Sequence, residues 1–168
     1  VRPRSRCPGC SKPIAWYDNI PVLSYLVLRG KCRGCKAPIS IRYPVIELLT
    51  SLLFLAVFER FGSSWLLPLR DWPYVAILVA VTFIDLEHRI IPDELSLGGL
   101  VLGLMTAWWV PGLGLWSSVL GAVIGFGVFA LLSWGYFKAK GAIGLGGGDV
   151  KLLAMMGAFM GPMAVFHV

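Results

Sequence analysis

The chain has 168 residues, 57% of them hydrophobic and 14% charged, with a mean hydropathy of +0.77 and a formal net charge of +6. An ordinary soluble domain carries about 25% charge and roughly 45–50% apolar residues, so too little polar surface is left here to coat a water-soluble globule. Composition argues against both a soluble enzyme and a disordered chain, and the expected class is an all-α polytopic membrane protein.

Residues 1–43 form a distinct head. They hold nine of the fifteen basic residues and a single acid, Asp18. A basic flank beside a membrane marks the cytoplasmic side. Nucleic-acid binding is the other reading of a basic module, and it is disfavoured because the cluster adjoins an apolar run. The head also holds all four cysteines, Cys7-x2-Cys10 and Cys32-x2-Cys35. Each such turn can offer two thiolates to one tetrahedral ion, and two turns complete a four-sulfur structural zinc site. The alternative is two disulfides, which would require an oxidising compartment and contradict the charge distribution. With four sulfur ligands no coordination position stays open for catalysis, so the zinc is expected to hold together a cytoplasmic module with little core of its own.

Residues 44–168 read as a transmembrane catalytic domain of about five spans. The first is Val45–Phe58, broken by Glu47. Residues 59–72, with Gly62, Ser63 and Pro68, read as a loop. The second span runs from about Pro73 to Glu87, and residues 84–94 form a polar return in which Asp93 is placed to cap a helix beginning at Glu94. The third span, about 94–110, and the fourth, about 115–137, are joined by a turn at Pro111–Gly114. The 43 residues from Leu95 to Phe137 carry no formal charge, enough for two crossings at about 20 residues each. Residues 138–149 are glycine-rich, and a fifth span starts near Asp149. Under this alternating topology thirteen of the fifteen basic residues fall on the side of the head, as the positive-inside rule requires. The chain opens at Val1 and stops inside an apolar run, which reads as a piece cut from a longer membrane protein. Gly99/Gly103, Gly121/Gly125 and Gly157/Gly161 are each spaced for close helix packing.

Two carboxylates stand out. Asp85 ends a short apolar run and Asp149 follows Gly146-Gly147-Gly148, so both are placed at the cytoplasmic membrane edge, on different helices. Ionisable groups at membrane depth are costly and point to function. If the two meet, like-charge repulsion leaves one protonated and one ionised, the state an aspartic peptidase uses. The bland alternative is that Asp149 caps its helix, Asp85 pairs with Arg89, and the glycines form a hinge. Phosphate binding by the glycine loop is disfavoured, because no Gly-Lys-Ser/Thr follows.

The head RCPGC…KCRGC, the segment FIDLEHRIIPDE and the segment GLGGGDVKLLAMMGA together resemble bacterial type IV prepilin peptidases, the GxGD class of inner-membrane aspartic peptidases. The resemblance implies that Asp85 and Asp149 are the catalytic aspartates and that Cys7, Cys10, Cys32 and Cys35 bind zinc. It implies cleavage of the leader from prepilins and pseudopilins after a glycine on the cytoplasmic side. N-methylation of the new terminus with S-adenosylmethionine is implied as well, with no donor site visible in the residues.

Secondary candidates are Glu47, Asp93 and Lys151. Glu47 either receives the substrate's amino terminus or a leader lysine, or pairs with Arg42. His88 and His167 read as solvated or packed rather than as metal ligands. Rival readings are a non-catalytic zinc-headed adaptor of a pilus or secretion assembly, and an ion transporter, which would need its acids near the bilayer midplane. Membrane lipid and pilin-type substrates are the expected partners, and nucleic acid is not among them.

Overall fold

The computed structural model describes residues 5–20, 22–61, 63–141 and 146–163. Gly62, His167 and the middle of the glycine-rich loop, residues 142–145, lie outside the described residues. The chain divides into two compact units, Val1–Leu55 and Ala56–Val168. Among the described residues there are helices and isolated bridges and no strand.

The first unit opens with two cysteine turns built on one plan. Arg6 bridges to Pro13 around the first, and Lys31 bridges to Pro38 around the second. Cys7 N–H donates to the Lys12 carbonyl and Cys32 N–H to the Ala37 carbonyl. Ser11 and Lys36, each the residue after the second cysteine of its pair, adopt the left-handed conformation at φ 55° and 61°. Between the turns lie a short 3₁₀ turn at Trp16–Asn19 and the one-turn helix α1, Leu23–Val27. Helix α2 follows at Arg42–Phe61 and continues past the end of the unit.

In the second unit, α3 (Leu66–His88), α4 (Asp93–Met105), α5 (Gly114–Lys140) and α6 (Gly147–Met160) carry the apolar runs. Helix α3 starts seven residues before the expected Pro73. Pro68 falls in its first turn, where a missing N–H breaks no helical bond, and the helix continues through Pro73. Of the five runs expected to cross a membrane, two helices among the described residues, α3 and α5, are long and apolar enough to do so. At 13 and 14 residues, α4 and α6 reach only about 20 Å, against roughly 30 Å of hydrocarbon. In α2 the charges of Glu47 and Glu59 confine the apolar run to the eleven residues between them.

Helix α6 is the centre of this unit. Its Val150, Ala154, Met155, Ala158 and Phe159 are buried, and it packs between α4 and α5. Gly99 and Gly103 of α4 admit Met155 and the Phe159 ring, and at Gly103 an added Cβ would stand 2.8 Å from that ring. Gly121 of α5 lies against the backbone of Gly157, and Gly125 against that of Leu153. Small residues allow this approach in a medium where no hydrophobic force gathers helices. The Ser118 hydroxyl adds a 2.6 Å hydrogen bond to the Ala158 carbonyl. These pairings make α6 parallel to α4 and antiparallel to α5. Tyr74 of α3 stacks on Phe159 at 4.3 Å, and the buried Arg70 donates to the Phe159 carbonyl, to the Thr106 hydroxyl and to Asp71. Arg70, expected in the loop 59–72, instead lies within α3 and ties it to the C-terminal end of α6. Trp116, Val123, Phe126 and Leu131 of α5 stay exposed, an apolar outer surface unlike that of a soluble monomer.

Candidate active site and metal centre

Cys7, Cys10, Cys32 and Cys35 bring their sulfurs within 4.8 Å of one another, and Cys7 Sγ is 3.8 Å from Cys35 Sγ. A tetrahedral ion with metal–sulfur bonds of about 2.3 Å needs sulfurs roughly 3.8 Å apart, so the cluster has the dimensions of a four-thiolate site. The approach depends on glycines: Gly9 faces Ala37 and Cys35, while Gly34 faces Lys12 and Cys10, each turn covering the other. The Cys32 thiol is pushed down to about 6 by the Cys35 and Gly34 amides. The Ala37 amide also favours the Cys35 thiolate, but lost hydration and the neighbouring thiols carry that group up to about 11. Four thiolates this close cannot all ionise without a cation to neutralise them. All four thiols are free, and the donor set suits a soft, tetrahedral divalent metal.

The head has a second polar anchor. Arg33, inside the second cysteine turn, donates to both Asp18 oxygens at 2.8 and 2.7 Å and lies 5.4 Å from the Tyr17 ring. Those bonds hold the Asp18 carboxyl below its ordinary range. Glu47 accepts a 2.9 Å hydrogen bond from the Val22 amide, which leads into α1 with φ at 58°. Glu47, the candidate for the substrate's amino terminus, a leader lysine or Arg42, thus has one carboxylate oxygen at the start of α1.

Asp85, Asp93 and Asp149 of the second unit gather at one end. Asp85 lies in the last turn of α3 and is exposed. Its backbone carbonyl accepts from Arg89, which closes the helix in the left-handed conformation at φ 54°. Among the described residues no hydrogen bond or ion pair engages the Asp85 carboxylate, so the pairing with the Arg89 side chain that belongs to the bland alternative is not formed. Asp149 stands in the first turn of α6, where its carboxylate accepts from the Gly146 amide at 3.1 Å. It takes the capping role offered as the bland alternative, with Gly146 at the cap position. Asp93 does not cap a helix beginning at Glu94: α4 starts at Asp93 itself, behind Pro92. Its two oxygens instead receive Lys151 Nζ at 2.7 and 2.6 Å.

The helix register places these groups at one level. From the Tyr74–Phe159 stack, Asp85 is eleven residues along α3, and Asp149 is ten residues back along α6, which runs the opposite way. At 1.5 Å per residue both lie about 15–17 Å from that stack. Gly148 rests on the loop between α3 and α4, where an added Cβ would stand 2.9 Å from Ile91 Cβ. The structure thus joins Asp93 to Lys151, and sets the Asp149 turn on the segment six residues after Asp85. No hydrogen bond links the two aspartates themselves among the described residues. Beside them, the C-terminal half of α5 and the start of α6 border a groove of about 410 Å³ lined by Phe126, Trp134, Phe137, Gly147, Val150 and Lys151. His88 is exposed, 4.0 Å from a Glu87 carboxylate oxygen, and belongs to no cluster of three ligand-type residues among the described residues.

The two cysteine turns form an internal repeat, RCPGCSKPI and KCRGCKAPI, 25 positions apart, a signal that cysteine spacing alone does not use. Neither hydropathy nor motif spacing marks Arg70 as buried.

A family model described as the bacterial peptidase A24 N-terminal domain matches residues 1–61, and one for the type IV leader peptidase family matches residues 72–168. The chain is 45% identical over 160 residues to a prepilin leader peptidase/N-methyltransferase of Myxococcus xanthus, covering 95% of this chain and 48% of that relative. A protein of the same name from Aeromonas hydrophila is 45% identical over 170 residues, covering 97% of this chain and 56% of the relative. A type 4 prepilin-like proteins leader peptide-processing enzyme of Escherichia coli O78:H11 is 41% identical over 174 residues, covering 99% and 62%. The chain spans about half the length of the curated relatives it matches. No solved structure matches it.

Proposed function

This chain belongs to the type IV leader peptidase family, and from that premise we propose that it carries the catalytic centre of a multi-pass aspartic endopeptidase of the bacterial inner membrane. The substrates are type IV prepilins and pseudopilins, and the leader is removed after a glycine on the cytoplasmic side. The observation that supports this reading is the common level of Asp85 and Asp149 at the end of the unit where α4 and α6 begin.

In this mechanism the two carboxyl groups share one water. The ionised member accepts a proton from that water, and the oxygen attacks the carbonyl carbon of the scissile bond. The protonated member donates to the carbonyl oxygen as it becomes tetrahedral. Collapse breaks the C–N bond, and the proton taken from water passes to the departing nitrogen. Among the described residues the Asp85 carboxylate has no hydrogen-bond partner and the Asp149 carboxylate has the Gly146 amide, an arrangement that suits access by water and substrate. The apolar groove beside Asp149 suits the hydrophobic helix that follows a pilin leader, entering sideways from lipid.

Cys7, Cys10, Cys32 and Cys35 would hold zinc, which supplies a structural crosslink between the two halves of the head. The relatives' name joins a methyltransferase to the peptidase. We extend that second activity, with S-adenosylmethionine as donor, to this protein.

The test is prepilin processing in membranes by Asp85→Asn and Asp149→Asn. Each is expected to lower the cleavage rate by about 10²–10⁴-fold, the range for loss of a general acid or base. Processing at the parent rate by both variants would overturn the mechanism and favour the adaptor reading.

A further inference from the structure

The ion pair between Asp93 and Lys151 has no part in the chemistry just described, yet it joins the two segments that carry the reacting acids. Lys151 stands two residues after Asp149, and Asp93 eight residues after Asp85. The side chains are 58 residues apart in sequence and meet through both carboxylate oxygens, at 2.7 and 2.6 Å. They retain 34% and 56% of their side-chain exposure, and a surface pair of this kind adds little to stability. Helix electrostatics does not account for the lysine either, because a cation in the first turns of α6 faces the positive end of the helix dipole. What the pair does fix is position. Asp149 is tied to Gly146 by its own capping hydrogen bond, so residues 146–149 move as one turn. That turn rests through Gly148 on Ile91, a contact with no directional bond of its own. The Lys151–Asp93 bond supplies the missing direction.

We propose that Asp93 and Lys151 are positioning residues that clamp the Asp149 turn onto the loop following Asp85, setting the separation of the two carboxyl groups. The clamp also keeps the Lys151 ammonium occupied by Asp93 and away from Asp149. The inference rests on the reading of Asp85 and Asp149 as the reacting pair.

The test uses the membrane-embedded protein with a peptide carrying a basic leader, a glycine and an apolar segment. Its variants are Asp93→Asn, Lys151→Gln, and the exchanged pair Asp93→Lys with Lys151→Asp. Each single variant is expected to lower kcat by about 10- to 100-fold, the cost of a misplacement near 1 Å. KM stays within about threefold for Asp93→Asn, whose side chain does not line the groove, while Lys151 does line it and its variant is judged on kcat. The exchanged pair is expected to recover most of kcat, which a purely local role of either side chain would not allow. The conservative variants Asp93→Glu and Lys151→Arg, which retain both charges, guard against misfolding, as do thermal midpoint and bound metal read on every preparation. Single variants with parental kcat, or an exchange no better than the singles, overturn the clamp. Asp85→Asn and Asp149→Asn run beside them separate the two failures. If those are inactive while Asp93→Asn is not, the clamp alone is wrong, and if they cleave normally the aspartic mechanism is wrong.

Discussion

Gly121 of α5 and Gly157 of α6 meet backbone to backbone: a Cβ added at Gly121 would stand 2.7 Å from the Gly161 carbonyl carbon and in collision with the Gly157 carbonyl oxygen. Four residues on, Gly125 meets the Leu153 backbone in the same way. This crossing brings the C-terminal half of α5 alongside the turn that carries Asp149.

Gly121→Leu should therefore separate the helices, because backbone has no rotamer through which to yield. A cost of about 3 kcal/mol or more is expected from overpacking. That corresponds to a thermal midpoint lower by roughly 6–12 °C in detergent for a chain of this size. At Gly127, where nothing lies within 4 Å, substitution by alanine should change stability by less than about 1 kcal/mol. Equal midpoints for the two variants would show that the crossing is not tightly packed.

Each of Cys7→Ser, Cys10→Ser, Cys32→Ser and Cys35→Ser should release the metal, since the four sulfurs form one cluster and a four-ligand structural site does not survive on three. Bound zinc, measured by elemental analysis of the purified protein, should fall from one per chain to less than about a tenth. Chelation of the parent should expose residues 5–40 to protease in the same way. Retention of stoichiometric zinc by any two of the variants would place the metal elsewhere.

The Asp18–Arg33 pair gives the head a defined response to acid. Two hydrogen bonds from Arg33 hold the Asp18 carboxyl below its ordinary range, so folding binds fewer protons at this group than the unfolded chain does. The stabilisation is complete above the unfolded aspartate value of about 3.9 and is lost as pH falls through the lower folded value. Carbon NMR of the Asp18 carboxyl should show a titration midpoint below about 3.9 that rises toward that value in Arg33→Ala. An unchanged midpoint in Arg33→Ala would mean that the guanidinium does not cause the shift.

Composition alone established the mostly helical, apolar character of this protein, because long uncharged runs admit few other structures. The cysteine spacing established the sulfur cluster, since each Cys-x2-Cys turn is local and its geometry follows from a few adjacent residues. The segments around Asp85 and Asp149 were legible by their motif. Their depth along the bundle was not, because it depends on which helices run antiparallel and in what register, and Tyr74, Phe159 and the paired glycines decide that. Helix limits also escaped hydropathy: α3 extends back to Leu66 because prolines are tolerated in a first turn and tertiary contacts through Arg70 hold that end. The partners of the charged residues were decided by the tertiary structure alone. Glu47 is engaged by Val22 and Asp93 by Lys151. An ion pair or a cap is chosen by distance in space, and two residues 58 positions apart in the chain give no local sign that they will meet.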